Sequence, residues 1–128
     1  MEGLWIVTML AALQFFFFAA FAGAARAKAG VKAPAITGDE TFERRLRVQY
    51  NTMEQLVIFY PGLWAFGTFV NPSVAALLGG VYILGRIFYF VAYTNDPDSR
   101  SIGFGLTILP NGILLIGGLI GAIWEAVG

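Results

Sequence analysis

Apolar residues in this chain fall into four long blocks separated by short polar ones. The first, Leu4 to Ala25, contains no charge and is long enough, at about 1.5 Å per residue, to cross a hydrocarbon core of about 30 Å. It predicts a membrane helix. Small residues at Ala22 to Ala25 imitate a signal-peptidase site, but the run is too long for a leader's core and follows Glu2 instead of a basic segment, so it is expected to remain as a span. A polar stretch, Arg26 to Thr41, carries Gly30, Pro34 and Gly38 and ends in Asp39 or Thr41 as the N-cap of the next helix. That helix is predicted from about Phe42 to Val70. Its first turns are charged, so the membrane portion is set at 48–70 and the start projects beyond the bilayer.

Asn71 and Pro72 mark a tight turn, the third span follows over 74–93, and Asn95, Asp96 and Pro97 stop it. The fourth span is 102–127. Pro61 and Pro110 fall inside helices, where in a membrane they mark kinks sooner than ends. Residues 1–128 therefore read as one all-α integral membrane domain, a four-transmembrane-helix bundle without repeats or a soluble tail.

Composition supports lipid as the outer solvent, since 58% of residues are hydrophobic and 12% charged, against about 25% charged in soluble domains. The chain has no cysteine and no histidine. That excludes disulfides, thiolate or imidazole metal sites, cysteine nucleophiles and histidine acid–base chemistry, so no metal is expected. Basic and acidic residues balance at eight each, and no nucleic-acid partner is expected. The distribution is more informative than the total. Arg26, Lys28, Lys32, Arg44, Arg45 and Arg47 surround the first loop, Arg100 lies in the third, and the second has no charge. The positive-inside rule then puts loops one and three in the cytoplasm and both termini on the opposite side, in a bacterial inner membrane or endoplasmic reticulum.

Apart from Glu125 at the far end of the fourth span, two charges fall inside the predicted spans, Glu54 and Arg86, each about 10 Å below the cytoplasmic rim. A charge at membrane depth costs at least about 2.5 kcal/mol and needs a partner. Equal depth allows an ion pair between them; a ligand is the other solution. Helical spacing adds two polar stripes, Arg44, Arg47, Asn51 and Glu54 on the second helix and Tyr82, Arg86, Tyr89 and Tyr93 on the third. Any one tyrosine fits an interfacial aromatic belt, but the stripes together, with Arg26 and Arg100 at the rim, describe a basic pocket for an anionic polar ligand. Gly79, Gly80 and Gly85, and Gly117, Gly118 and Gly121, predict close helix packing. Gln14 and Asn111 are expected to hydrogen-bond between helices.

These residues resemble the MAPEG family, membrane-associated proteins in eicosanoid and glutathione metabolism, in the branch of the leukotriene-forming and microsomal glutathione transferases. The signature matches at Gly38, Phe42, Glu43, Arg44, Arg47, Gln49, Asn51 and Glu54, and a second block at Tyr82, Arg86, Tyr89, Tyr93 and Arg100, with Arg26 also in place. Arg45, Leu46, Val48, Thr52, Gln55 and Ala27 depart from the family pattern. The resemblance implies a homotrimer whose glutathione site lies between subunits near the cytoplasmic face. It also implies binding residues Arg26, Arg47, Gln49, Asn51, Glu54, Arg86, Tyr89 and Tyr93, with Arg100 as the catalytic residue. Glutathione, as co-substrate, needs several donors for its two carboxylates, an acid for its ammonium, and brings the thiol this chain lacks.

The function expected is a membrane-bound glutathione transferase, with glutathione peroxidase as a related activity, in which Arg100 stabilises the thiolate for attack on a lipophilic electrophile or hydroperoxide arriving from membrane lipid. Asp96 and Asp98 could pair with Arg100 instead, and Ser101 could cap the fourth helix or donate to the thiolate. The alternative is a non-catalytic lipid or fatty-acid-binding scaffold of the lipoxygenase-activating type. A small transporter ranks last, because no duplicated halves are present.

Overall fold

The computed structural model describes all 128 residues. Four helices form, α1 (Glu2–Ala29), α2 (Glu40–Phe69), α3 (Pro72–Asn95) and α4 (Ser101–Val127), with a 3-10 turn at Pro97–Ser99 before α4. Local chemistry sets their boundaries. α1 ends where Gly30 adopts a left-handed φ of 71° and its N–H reaches back to the Ala27 carbonyl. Asp39, not Thr41, caps α2: its carboxylate accepts the Phe42 N–H at 2.9 Å, so the helix starts two residues earlier than predicted. Asn71 caps α3 in the same way, accepting the Val74 N–H at 3.0 Å. Pro72 follows at the first helical position, where its missing N–H costs nothing. α2 and α4 continue through Pro61 and Pro110.

Cross-helix bonds give the directions. Arg45 reaches Phe21 and Tyr60 reaches Thr8, so α2 runs antiparallel to α1. Arg44 meets Thr94 and Thr52 meets Arg86, which makes α3 antiparallel to α2. Arg86 to Thr107 reverses the chain once more into α4. The result is an up-down-up-down bundle in which α4 packs most extensively against α2 and α3. Gln14 donates to the Ile83 carbonyl at 2.9 Å and Asn111 to the Gln55 side chain at 3.1 Å, the interhelical bonds expected of them.

The outer surface is apolar, with Trp5, Phe16, Leu77, Phe88 and Ile116 all exposed, as lipid rather than water requires. α1, α3 and α4 are each long and apolar enough to cross a membrane. α2 is longer still, but its first half carries Glu40, Glu43, Arg44, Arg45, Arg47, Gln49, Asn51, Glu54 and Gln55, which leaves an unbroken apolar stretch only from Leu56 onward. Toward the chain termini the interior is apolar and built around Leu4, Val7, Phe59, Leu63, Phe66 and Leu114. Toward the first loop a polar layer of Thr52, Arg86 and Thr107 interrupts it.

Candidate active site

Several residues of the family-like pattern hold the first loop in place. Gly38 takes φ 129°, a conformation that favours glycine, and donates its N–H to the Glu43 carboxylate at 3.1 Å. Phe42, buried at the start of α2, supports the guanidinium of Arg26 at 4.4 Å from its ring centroid, while Arg26 donates to the Ala35 carbonyl at 2.8 Å. Arg44 donates to the Thr94 and Asn95 carbonyls at 3.1 and 3.0 Å and pairs with Glu40. Those carbonyls belong to the last turn of α3, where they have no intrahelical partner. Arg26, Arg44 and Arg45 are thus committed within the chain. Arg47 makes no intrachain hydrogen bond or ion pair.

Arg47 opens onto a cavity of about 790 Å³ between α2, α3 and the start of α4, lined also by Asn51, Tyr89, Tyr93, Asp98, Arg100, Ser101, Phe104, Gly105 and Ile108. A neighbouring cavity of about 680 Å³ under the first loop shares Arg47 and Tyr93 as its wall. Tyr89 and Tyr93 stack at 5.5 Å with their rings nearly parallel, and their hydroxyls make no intrachain bond. The Asn51 amide oxygen is buried and unpartnered. Arg100 forms no ion pair with Asp96 or Asp98; it donates only to the Pro97 carbonyl at 3.1 Å. Arg100 itself occupies the N-cap position of α4, no side chain caps that helix, and Ser101, its first residue, lines the cavity. Two guanidiniums, two phenols, the start of α4 and one amide acceptor therefore converge with neither guanidinium paired to a carboxylate, Arg100 giving one bond to the Pro97 carbonyl, an arrangement suited to an anion carrying a donor group.

The ion pair envisaged between Glu54 and Arg86 does not form. Thr52, not Glu54, faces α3, and the two lie about 200° apart around α2, which turns Glu54 outward. Arg86 is fully buried, donating to Thr52 at 2.8 Å and to Thr107 at 3.4 Å, with the Tyr89 ring 4.4 Å from its guanidinium carbon. Of the predicted binding residues, Arg47, Asn51, Tyr89 and Tyr93 come together with Arg100. Arg86 lies behind Tyr89, while Arg26, Gln49 and Glu54 do not line this cavity. Tyr82 is also fully buried, stacked on Phe59 at 4.0 Å, which removes it from any interfacial belt.

Thr52, Thr107 and Gly103 are missing from the sequence-based set. A Cβ on Gly103 would lie 2.4 Å from the Tyr89 nitrogen, so glycine there lets α3 and α4 touch and brings Tyr89 beside Arg100. Thr107 and Asn111, four apart in an otherwise apolar helix, are the pattern that could have revealed the face of α4 turned toward Arg86.

The family model that matches the chain, described as the MAPEG family, covers residues 4–120. An uncharacterized protein of Synechocystis sp. is 47% identical over 97% of this chain and 92% of its own length. Human microsomal glutathione S-transferase 2 is 42% identical, over 91% of this chain and 78% of that protein. Bovine leukotriene C4 synthase is 36% identical, over 73% of this chain and 63% of that protein.

Proposed function

The chain belongs to the MAPEG family of integral membrane proteins, and on that footing we propose that it is a membrane-bound glutathione transferase acting on lipophilic electrophiles. The observation that carries the reading is the convergence of Arg47 and Arg100, both without ion-pair partners, on a cavity that also holds Tyr89, Tyr93 and Asn51. A fatty-acid scaffold would need one carboxylate partner at its headgroup. Glutathione needs several donors and an acceptor.

Arg47 and the two tyrosines take the carboxylates, and the Asn51 oxygen with Asp98 takes the ammonium or an amide N–H. The thiol lies at Arg100 and the N-terminus of α4. A free thiol of pKa about 8.5 is only a few per cent thiolate at pH 7, and lowering that by about two units requires about 2.7 kcal/mol of differential stabilisation. A guanidinium assisted by a helix N-terminus supplies a contribution of that order. The proton leaves to water; the thiolate then attacks an electrophilic carbon, forming the S–C bond as the leaving group departs with its electron pair. A hydroperoxide would instead be reduced, with a second glutathione closing the disulfide.

Ile108 belongs both to this cavity and to an apolar groove of about 560 Å³ formed with Phe66, Leu109, Ile113, Ile116 and Gly117. That groove supports a lipophilic co-substrate arriving from the membrane. In the proposed assembly α2 also crosses the membrane, making four spans, and loops one and three face the cytoplasm. A homotrimer covers the outward face of α2, where Tyr50, Met53, Glu54 and Val57 are exposed, and brings Glu54, Gln49 and Arg26 to a shared site.

The test is thiolate absorbance on adding glutathione to the protein in lipid, followed by conjugation of an aryl halide. Arg100→Ala is expected to return thiolate at pH 7 to the few per cent of a free thiol and to lower turnover by about 100-fold, the scale for removing one preorganised stabilising group, while leaving the fold intact. Absence of both thiolate and turnover in the unaltered protein refutes the transferase reading.

A further inference from the structure

Arg86 is the one charged residue with no surface exposed, and no carboxylate lies within ion-pair reach of it. A buried cation needs an anion or a set of acceptors. Here two threonine hydroxyls accept from its terminal nitrogens and Tyr89 covers the guanidinium, while Nε has no partner. Hydroxyls solvate the charge without cancelling it. Arginine stays protonated at any physiological pH, and in a weakly polarisable interior its field reaches further than it would in water. Between it and the cavity stands Tyr89, itself stacked on Tyr93, and both rings line the cavity wall.

We propose that Arg86 is a specificity-determining residue that acts without touching the ligand, as a permanent buried positive charge behind the tyrosine pair that selects for anionic occupants of the cavity. This rests on the glutathione reading and deepens it. Arg47 and Arg100 pair with particular groups of the ligand; Arg86 favours its net negative charge wherever that charge sits. A residue that only tied α2, α3 and α4 together would weaken binding of anionic and cationic ligands alike.

The experiment compares binding of glutathione and of its diethyl ester to the full chain in lipid nanodiscs, by calorimetric titration. Arg86→Met is expected to weaken glutathione about tenfold or more while leaving the diester, whose ammonium is its only charge, unchanged or bound more tightly, and Arg86→Lys is expected to keep the preference within about threefold. Equal losses for both ligands in the Met variant, or no loss in either, overturn the proposal. Should the Met variant fail to fold, the Lys variant decides: it keeps the charge and loses the planar stack and forked geometry, so a retained preference supports the proposal and a lost one overturns it. Absence of glutathione binding by the unaltered chain overturns the glutathione reading and this proposal with it, an outcome distinct from equal losses, which overturn this proposal alone.

Discussion

At the end of the bundle near the chain termini, the four helices close on one another through Leu4, Val7, Phe59, Leu63, Phe66, Ala75 and Leu114, all buried. At the opposite end the same helices meet through a guanidinium shared by two threonines, a backbone contact at Gly103, and arginines that clamp carbonyls of the first loop and of the last turn of α3. One end is filled and the other is braced around a space. Apolar packing is strong but leaves no room, whereas directed bonds fix helix positions while keeping Arg47 uncommitted and Arg100 free of any carboxylate. Stability and chemistry are thereby separated along the bundle axis.

That separation can be broken from either side. Leu63→Ala, in the filled end, is expected to cost about 2 to 5 kcal/mol by leaving a cavity, read as a lowered unfolding temperature in detergent, with glutathione affinity unchanged in the folded fraction. Gly103→Ala sets its new Cβ against the Tyr89 backbone and should cost about 3 kcal/mol or more of overpacking. It also displaces α4 from Tyr89, and titration should show glutathione binding weakened beyond anything Leu63→Ala produces. Gln14→Leu removes the bond to the Ile83 carbonyl between the two regions and should cost only about 0.6 kcal/mol, typical of a hydrogen bond between membrane helices, with no effect on binding. If Leu63→Ala damaged affinity more than Gly103→Ala, the two ends would not be independent.

Much of the braced end was readable from the residues. Apolar block lengths, Gly30, Asp39, Asn71 and Pro72 place the helices because each acts through its own local backbone chemistry. Arg47, Asn51, Tyr89 and Tyr93 share faces by helical periodicity, and the structure brings those faces together at one cavity. The rotation of one helix against another was not readable. Depth alone matched Glu54 with Arg86, but α2 presents Thr52 to α3. Arg26 was read from its place at the rim, yet its contact with Phe42 depends on how the first loop folds back. Thr107 and Gly103 gave weak signals because threonine and glycine are common in membrane helices for many reasons.

Ile108 stands where a wet chamber and an oily groove meet on a single helix. On the transferase reading, one reactant is counted per volume of water and the other per area of membrane, and the reaction occurs on the line between them. The rate then follows the mole fraction of electrophile in the lipid, so diluting the membrane slows it even when every bulk concentration is unchanged. The product, a charged peptide joined to an apolar body, is itself a surfactant seated in its preferred orientation. On that reading, release of the product is the step such a geometry is expected to slow.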